Sequence, residues 1–164
     1  MQKILITGAS GFIGSFLAEE ALNKGYEVYA GIRKTSNRQY LTDPRIKFVE
    51  LDFSNVELLS REIGYAPDFD YIIHNAGLTK ALKKRDYSTS NYQYTKNLVE
   101  VLIDLKRVPE KFIYMSSLAA YVPGDSTTLE PIKLSDTQNP VSSYGKSKLE
   151  SENYISALSE FPHL

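Results

Sequence analysis

The chain has 164 residues, of which 42% are hydrophobic and 24% are charged, and its formal net charge is −1. These values are typical of one globular domain that can bury a core, and they argue against a general attraction to nucleic acid or to an anionic membrane. The absence of cysteine excludes disulfides and thiolate catalysis, and with no recognisable targeting segment or run of roughly 18 apolar residues we expect a cytoplasmic protein.

The first predicted strand, residues 3–7, leads into a glycine-rich stretch, Thr7-Gly8-Ala9-Ser10-Gly11-Phe12-Ile13-Gly14, that opens a helix. A helix N-terminus has unpaired N–H groups and a positive dipole end, so it binds phosphate once the backbone can approach closely. Three glycines allow a tight turn, a close phosphate contact and close helix packing. The spacing predicts a dinucleotide pyrophosphate site, with FMN, another phosphate or no ligand at all as the alternative. Its predicted residues are Gly8, Ser10, Gly11, Phe12, Ile13 and Gly14.

Apolar residues recur every three or four positions in this helix, which predicts a single inward-facing stripe. Its members are Ile13, Phe16, Leu17, Ala21 and Leu22. Turn signals and capping residues then predict three strands and one helix in the middle of the chain. The predicted strands cover residues 26–32, 46–51 and 71–73, and the helix begins at Ser54 or Asn55 and ends near Ile63.

A long helix is predicted over residues 86–106, with Leu98, Val101, Leu102 and Leu105 on its apolar face. A fifth strand follows over residues 111–115, then a long connection over 116–141 with Pro123 and Gly124, and a last helix over 142–158. Strands and helices therefore alternate throughout. This order predicts an α/β fold, a Rossmann-type doubly wound parallel sheet with helices on both faces and ligands at the carboxyl ends of the strands.

Several motifs share their order and spacing with one enzyme family. They are the glycine loop, Asp52, His74-Asn75-Ala76-Gly77, Asn91, Ser116-Ser117 and Tyr144-Gly145-Lys146-Ser147-Lys148. The chain thereby resembles the extended short-chain dehydrogenases/reductases, the NAD(P)-dependent sugar-nucleotide epimerases, dehydratases and dihydroflavonol-reductase-like enzymes. Members of that family are much longer. The resemblance implies that residues 1–164 are an amino-terminal NAD(P)-binding domain without the last strands and the substrate-binding part.

Tyr144 and Lys148 are four residues apart in a predicted helix, so their side chains share one face. An ammonium group about 4 Å from a phenol favours the phenolate by roughly 4 kcal/mol at an effective dielectric of 20. The resemblance implies that Tyr144 exchanges a proton with a substrate oxygen, that Lys148 holds the nicotinamide ribose, and that Ser117 polarises the reacting oxygen. Without the other motifs, a solvent-facing Tyr/Lys pair and a serine that satisfies a turn, at Ser116 or Ser117, are the simpler interpretations.

Further cofactor contacts are implied by the resemblance. Asp52 would accept a hydrogen bond from the adenine amino group, with Phe53 beside the adenine ring. The alternative interpretation is that the Asp52 carboxylate stabilises the start of the next helix. The backbone of Asn75, Ala76 and Gly77 would run against a ribose.

Two other positions, Asn91 and His74, lie in the motifs but have less direct counterparts in the family's chemistry. Asn91 matches a helix motif of the family in which this chain has Tyr94 in place of glycine. We interpret His74 as a packed residue at a strand end rather than a base.

The residues after the second strand, Ala30-Gly31-Ile32-Arg33-Lys34, contain no acidic side chain to bond a ribose 2′-hydroxyl. Arg33 resembles the arginine of the dihydroflavonol-reductase-like branch, and its guanidinium suits a 2′-phosphate. NADP is therefore favoured over NAD, with a solvated basic loop as the alternative. No metal site is expected, because the two histidines are far apart in the sequence.

The leading hypothesis is an NAD(P)-dependent oxidoreductase or nucleotide-sugar epimerase/dehydratase that acts on a small-molecule substrate. A non-catalytic NAD(P)-sensing or scaffold protein is the alternative. The resemblance also implies a homodimer formed by the long helix and the Tyr/Lys helix. The basic segment 80–85 is read as a solvated surface or, alternatively, as a contact for a phosphate-bearing substrate.

Overall fold

Five strands form a single parallel sheet. The computed structural model describes residues 1–121 and 130–161. The strands pair in the order β3-β2-β1-β4-β5, and every pair is parallel. This order confirms the predicted Rossmann-type sheet, and it changes direction between β1 and β4, the point where such folds bind ligands. The strands are β1 (Lys3–Thr7), β2 (Glu27–Ile32), β3 (Lys47–Glu50), β4 (Tyr71–His74) and β5 (Lys111–Tyr114).

Helices form most of the connections. They are α1 (Phe12–Asn23), α2 (Val56–Tyr65), α3 (Lys84–Tyr87), α4 (Tyr94–Asp104) and α5 (Ser143–Ser156), with a π-helical turn at Ser88–Gln93 and a 3-10 turn at Leu118–Ala120. None of these helices combines the length and the apolarity of a membrane span. Residues 130–142 contain no helix or strand, and the predicted loop residues Pro123 and Gly124 lie outside the described residues.

Each face of the sheet has its own hydrophobic core, because successive strand residues point to opposite faces. On one face, Ile4 and Ile6 of β1 pack in a cluster with residues of α1. On the other face, Leu5 belongs to a larger cluster with α2 and α4, and residues of α5 pack against its edge. Helices therefore cover both faces, as predicted, and the carboxyl ends of the strands stay at a common edge.

Helix α1 buries only part of the apolar stripe that its spacing predicts. Ala21 and Leu22 are buried and Leu17 packs against the core, as predicted. Ile13 and Phe16, predicted to face inwards, are 52% and 59% exposed. The glycine loop brings the first turn so close to β1 that only small side chains fit between helix and sheet, and the larger apolar residues point outwards. The buried residues of α1 are Gly14, Ala18, Ala21 and Leu22.

The long helix predicted over 86–106 is interrupted by the π turn at Ser88–Gln93. Its predicted apolar face is confirmed by the burial of Leu98, Val101 and Leu102. The π turn places Asn91 inside the protein, where it is 1% exposed, and Tyr94 begins α4 at the edge of the larger core. Turns of this kind often mark functional sites. Apolar spacing does not reveal them, because tertiary contacts determine the wider turn.

Candidate functional site

The glycine loop turns the chain tightly from β1 into α1. Gly8 has a φ of +64°, and a Cβ at this position would lie 2.8 Å from the Cα of Ala76. A Cβ on Gly14 would lie 2.7 Å from the Cα of Ala9. Gly11 precedes α1 and provides no side-chain cap, so the first N–H groups of the helix are available to an anion. This geometry fits the predicted pyrophosphate cradle.

The loop after β4 lies directly against the glycine loop. The N–H group of Ala76 donates to Thr7 Oγ1 at 3.1 Å. The side-chain amide of Asn75 donates to the carbonyl of Gly8 at 3.4 Å. Because these bonds join the loop after β4 to the end of β1 and to the glycine loop, the predicted ribose-facing loop and the predicted phosphate loop form one continuous backbone surface.

Asn91 holds the loop after β4 from the side of the π turn. Its Oδ1 accepts from the N–H group of Leu78 at 2.7 Å, and its Nδ2 donates to the Leu78 carbonyl at 3.1 Å and to the Ser147 hydroxyl at 3.0 Å. The side-chain amide is therefore engaged within the protein and supports both the loop and α5. A direct cofactor contact by Asn91 stays a prediction.

Lys148 places a buried ammonium group at the carboxyl ends of β4 and β5. The residue is 4% exposed, and its Nζ donates to the Met115 carbonyl at 2.7 Å. A Cβ on Gly77 would lie 3.3 Å from this Nζ, so the glycine leaves room for the ammonium. Burial lowers the pKa of Lys148 to about 8, and the charge of Glu152 acts in the opposite direction. Only one of the three N–H bonds has an acceptor among the described residues.

The same ammonium lies over the ring of Tyr114, at 4.7 Å from the ring centroid. The Tyr114 ring stacks on His74, with centroids 6.0 Å apart and planes inclined by 24°. Its hydroxyl is buried and has no hydrogen-bond partner among residues 1–121 and 130–161. Burial raises the pKa of Tyr114 to about 12. The neutral phenol therefore provides a cation–π partner for Lys148.

Tyr144 lies one turn before Lys148 on α5 and is half-buried. Its ring packs edge-on against Tyr87 of α3, with centroids 5.9 Å apart. The neighbouring Gly145 touches the 3-10 turn after β5, because a Cβ there would lie 2.7 Å from the carbonyl carbon of Ala119. The glycine in the Tyr-Gly-Lys-Ser-Lys motif thus brings α5 against the end of β5.

The two serines after β5 have different partners. Ser117 accepts from the N–H group of Ala119 at 3.2 Å and begins the 3-10 turn that touches α5. Ser116 donates to the carboxylate of Glu152, two turns beyond Tyr144 on α5. Ser117, the predicted catalytic serine, therefore lies on the turn that contacts the residue next to Tyr144. Its hydroxyl also serves the turn, as the simpler interpretation proposed.

A pocket of about 460 Å³ opens beside the carboxyl ends of β2 and β3. Three of its charged residues have ion-pair partners, since Arg61 lies 3.2 Å from Glu62, which also lines the pocket, and Glu50 lies 3.6 Å from Arg38. Arg33, the predicted 2′-phosphate contact, lines the pocket beside Lys34, and neither has an ion-pair partner in the described part of the chain. The charged lining residues are Arg33, Lys34, Glu50, Asp52, Arg61 and Glu62.

Asp52 lines this pocket and also supports the entry to α2. Its Oδ1 accepts from the hydroxyl of Ser54 at 2.5 Å and from the N–H group of Ser54 at 2.9 Å, and these bonds lower the pKa of Asp52. Both interpretations of Asp52 are thus compatible with its position. The Phe53 side chain is 9% exposed and packs edge-on against His74 at 5.6 Å, so its ring belongs to the core rather than to the pocket wall.

Sequence analysis assigned no individual role to four residues that shape the site, although two of them, Thr7 and Gly145, lie within its motifs. The Tyr114 ring forms a cation–π contact with the Lys148 ammonium, and the charge of Glu152 acts on the same ammonium. The Thr7 hydroxyl accepts a hydrogen bond from the loop after β4. Gly145 allows the contact between α5 and the 3-10 turn. Of these, only Gly145 had a signal in the sequence, because a glycine inside a helix motif indicates close packing.

The site as a whole is an elongated surface along one edge of the sheet. It runs from the pocket at Arg33 past the glycine loop to Lys148 and Tyr144, which suits an extended ligand with a central diphosphate. In the described ranges, no group of three His, Cys, Asp or Glu side chains is placed to hold a metal ion.

Comparisons with known proteins identify the family. The family model described as the NAD dependent epimerase/dehydratase family matches residues 4–161. The UDP-glucose 4-epimerase of Streptococcus mutans serotype c is 30% identical over 159 residues, which are 93% of this chain and 46% of the relative. The resemblance to the extended short-chain dehydrogenases/reductases is thereby confirmed.

Solved structures show the same fold. The UDP-Glc/GlcNAc 4-epimerase from Campylobacter jejuni superposes with a TM-score of 0.85 at 26% identity, covering 99% of this chain and 52% of that chain. The Bordetella bronchiseptica enzyme WbmH, in complex with NAD+, superposes with a TM-score of 0.77 at 28% identity, covering 95% and 52%. The chain spans about half the length of these three relatives.

Proposed function

Because the chain belongs to the NAD dependent epimerase/dehydratase family, we propose that it binds NAD(P) along the carboxyl edge of its sheet and supports hydride transfer at a carbinol or carbonyl carbon. The buried ammonium of Lys148 is the observation that carries this proposal. It lies where β4 and β5 end, one turn from Tyr144, and only one of its three N–H bonds has an acceptor among the described residues.

Each part of the site has one proposed task. The glycine loop binds the pyrophosphate through backbone N–H groups, and Lys148 donates to the hydroxyls of the nicotinamide ribose. Tyr144 exchanges a proton with the substrate oxygen, and Ser117 donates a hydrogen bond to that oxygen. The nicotinamide, when bound, supplies or accepts the hydride. The remaining proposed cofactor contacts are Ser10, Phe12, Ile13, Asp52, Asn75, Ala76, Gly77 and Asn91.

The adenosine end of the site supports a preference for NADP within the NAD(P) proposal. Arg33 and Lys34 line the pocket without ion-pair partners among the described residues. A 2′-phosphate placed between them would gain charge-assisted hydrogen bonds that a 2′-hydroxyl does not form. The complex of WbmH contains NAD+, so the experiment must compare the affinities of this chain for the two dinucleotides.

Calorimetric titration of the chain with NADPH, NADH, FMN and ATP tests both the proposed dinucleotide binding and the proposed preference for NADP. We expect NADPH to bind more tightly than NADH, and Arg33→Ala to weaken NADPH binding about tenfold with little effect on NADH. Arg85→Ala, an exposed arginine outside the pocket lining, is the matched control. Tighter binding of NADH would overturn the 2′-phosphate proposal alone. Equal binding of FMN or ATP, or no binding at all, would overturn the dinucleotide proposal.

For the substrate, we propose a nucleotide sugar, in line with the relatives named UDP-glucose 4-epimerase. In a full-length protein that contains this chain, UDP-glucose should be converted to UDP-galactose in the presence of NAD+ or NADP+, and Tyr144→Phe should remove most of this turnover while dinucleotide affinity persists. A full-length protein that binds the dinucleotide and shows no turnover with or without the substitution would favour the NAD(P)-sensing or scaffold alternative. A homodimer formed by α4 and α5 and a cytoplasmic location stay predictions.

A further inference from the structure

His74 is a buried histidine that the proposed chemistry does not use. It is 1% exposed, and both ring nitrogens have hydroxyl partners, with Nδ1 2.8 Å from Thr7 Oγ1 and Nε2 3.0 Å from Thr95 Oγ1. The rings of Phe53, Phe112 and Tyr114 pack around it at centroid distances of 5.6, 6.1 and 6.0 Å. No ring atom is therefore available to a substrate, which removes a role as general base.

The donors and acceptors around His74 can all be paired in only one arrangement. The Thr95 hydroxyl lies 2.5 Å from the carbonyl oxygen of Asn91, so its single proton is donated there. Thr95 must then accept from His74, which places the imidazole proton on Nε2. The other nitrogen, Nδ1, is left as an acceptor, and the Thr7 hydroxyl donates to it.

Thr7 completes the chain of hydrogen bonds on the Nδ1 side of the His74 ring. Its oxygen accepts from the N–H group of Ala76 at 3.1 Å, so every proton in the chain of bonds has one acceptor. Protonation of the ring would replace the Nδ1 acceptor by a second donor and break this order. Burial lowers the pKa of His74 to about 3, and the charge of Lys148 acts in the same direction. Among the described residues, the titratable side chain of Tyr114 also faces the ring.

The chain of bonds connects the two halves of the site. At one end, Ala76 lies beside Gly8, where an added Cβ would be 2.8 Å from the Ala76 Cα. At the other end, the hydroxyl of Ser151, which lies on α5 with Lys148, shares its proton between the Asn91 carbonyl and the Ser147 carbonyl, each 3.0 Å away. The ring thus lies between the glycine loop and the Tyr/Lys helix.

We propose that His74 is a positioning residue, a permanently neutral imidazole with its proton on Nε2 that holds the glycine loop, the loop after β4 and α5 in register. The inference rests on the proposed function, because those three elements make up the proposed dinucleotide site. It assigns His74 no contact with the ligand itself.

The protonation state is tested on the unmodified chain by long-range ¹H–¹⁵N correlation of the imidazoles, with His163→Gln used to assign the His74 signals. We expect the Nε2–H form without a titration step between about pH 8 and pH 4. The Nδ1–H form, or a titration midpoint near the ordinary value of about 6.5, would overturn the proposal. Neither result depends on dinucleotide binding, so this measurement stands apart from the proposed function.

The positioning role is tested with His74→Phe, which keeps a ring and removes both hydrogen bonds. Phe112→Leu, which reduces packing against the same ring without touching the hydrogen bonds, is the matched control. We expect the amide of Ala76 to exchange with solvent at least about tenfold faster in His74→Phe than in Phe112→Leu. Dinucleotide affinity should fall about tenfold in the first variant and stay within about twofold in the second. Equal exchange rates in the two variants would overturn the positioning role.

Discussion

The ammonium of Lys148 lies 4.7 Å from the ring centroid of Tyr114 in the interior of the protein. Two opposing effects act on its charge. Burial lowers the pKa of Lys148 to about 8, whereas an aromatic face stabilises a desolvated cation by about 0.5–2 kcal/mol. The contact therefore helps to keep the ammonium protonated near neutral pH, which is the form that donates hydrogen bonds to a ribose.

Replacing the ring should change this balance. In Tyr114→Leu we expect the pKa of Lys148 to fall below about 8 by roughly half a unit to one unit, because the cation–π contribution is lost. A titration of the Lys148 side chain followed by ¹³C NMR, with Lys148→Met for assignment, measures the shift. Tyr114→Phe is the control that keeps the ring, and its pKa should match the unmodified chain. A common value in all three proteins would contradict the cation–π assignment.

Dinucleotide affinity should depend on pH through Lys148. Below about pH 8 the side chain is charged and donates to the ribose, and above that value the lost proton removes the charge. We therefore expect NADH affinity to fall as pH rises through about 8, by no more than about tenfold per pH unit for one proton. Lys148→Met should bind weakly and without this dependence. Affinity in the unmodified chain that rises with pH would show that another group controls binding.

Gly14→Ala tests the close contact in the glycine loop. The added Cβ would lie 2.7 Å from the Cα of Ala9, and backbone on the facing side cannot yield as a flexible side chain can. We expect a loss of unfolding free energy of about 1–3 kcal/mol and loss of dinucleotide binding, measured by urea denaturation and calorimetry.

Gly64 provides the matched control for this substitution. It lies in α2 with nothing within 4 Å of an added Cβ, so Gly64→Ala should stabilise the chain by about 0.5–1 kcal/mol and leave binding unchanged. Similar effects of the two alanines would show that helix propensity, not the loop contact, governs position 14.

Gly145→Ala should separate α5 from the 3-10 turn. The Cβ would lie 2.7 Å from the carbonyl carbon of Ala119, so the helix must shift and carry Tyr144 and Lys148 with it. We expect a loss of about 1–3 kcal/mol in unfolding free energy together with weaker dinucleotide binding. Lys146→Ala, at an exposed position on the same helix, should change stability by less than about 0.5 kcal/mol. Unchanged binding in Gly145→Ala would contradict the positioning of α5 by this contact.

Local patterns in the sequence predicted most of the elements that the structure contains. Strands and helices follow from short-range periodicity and turn residues, and the glycine spacing specified where β1 turns into α1. The same periodicity failed for Ile13 and Phe16, which are exposed. A spacing rule gives the width of an apolar stripe, but the distance between helix and sheet decides which side chains fit beneath it.

The sequence by itself determined the order of strands and helices along the chain and the types of residue that follow the strands. Both depend on residues that are neighbours in the sequence. Only the tertiary structure decided that Asn91 turns inwards, that Ser116 and Ser117 take different partners, and that Tyr114 lies under Lys148. These relationships join residues from separate elements. Burial and hydrogen-bond direction arise when those elements meet, and no local pattern encodes them.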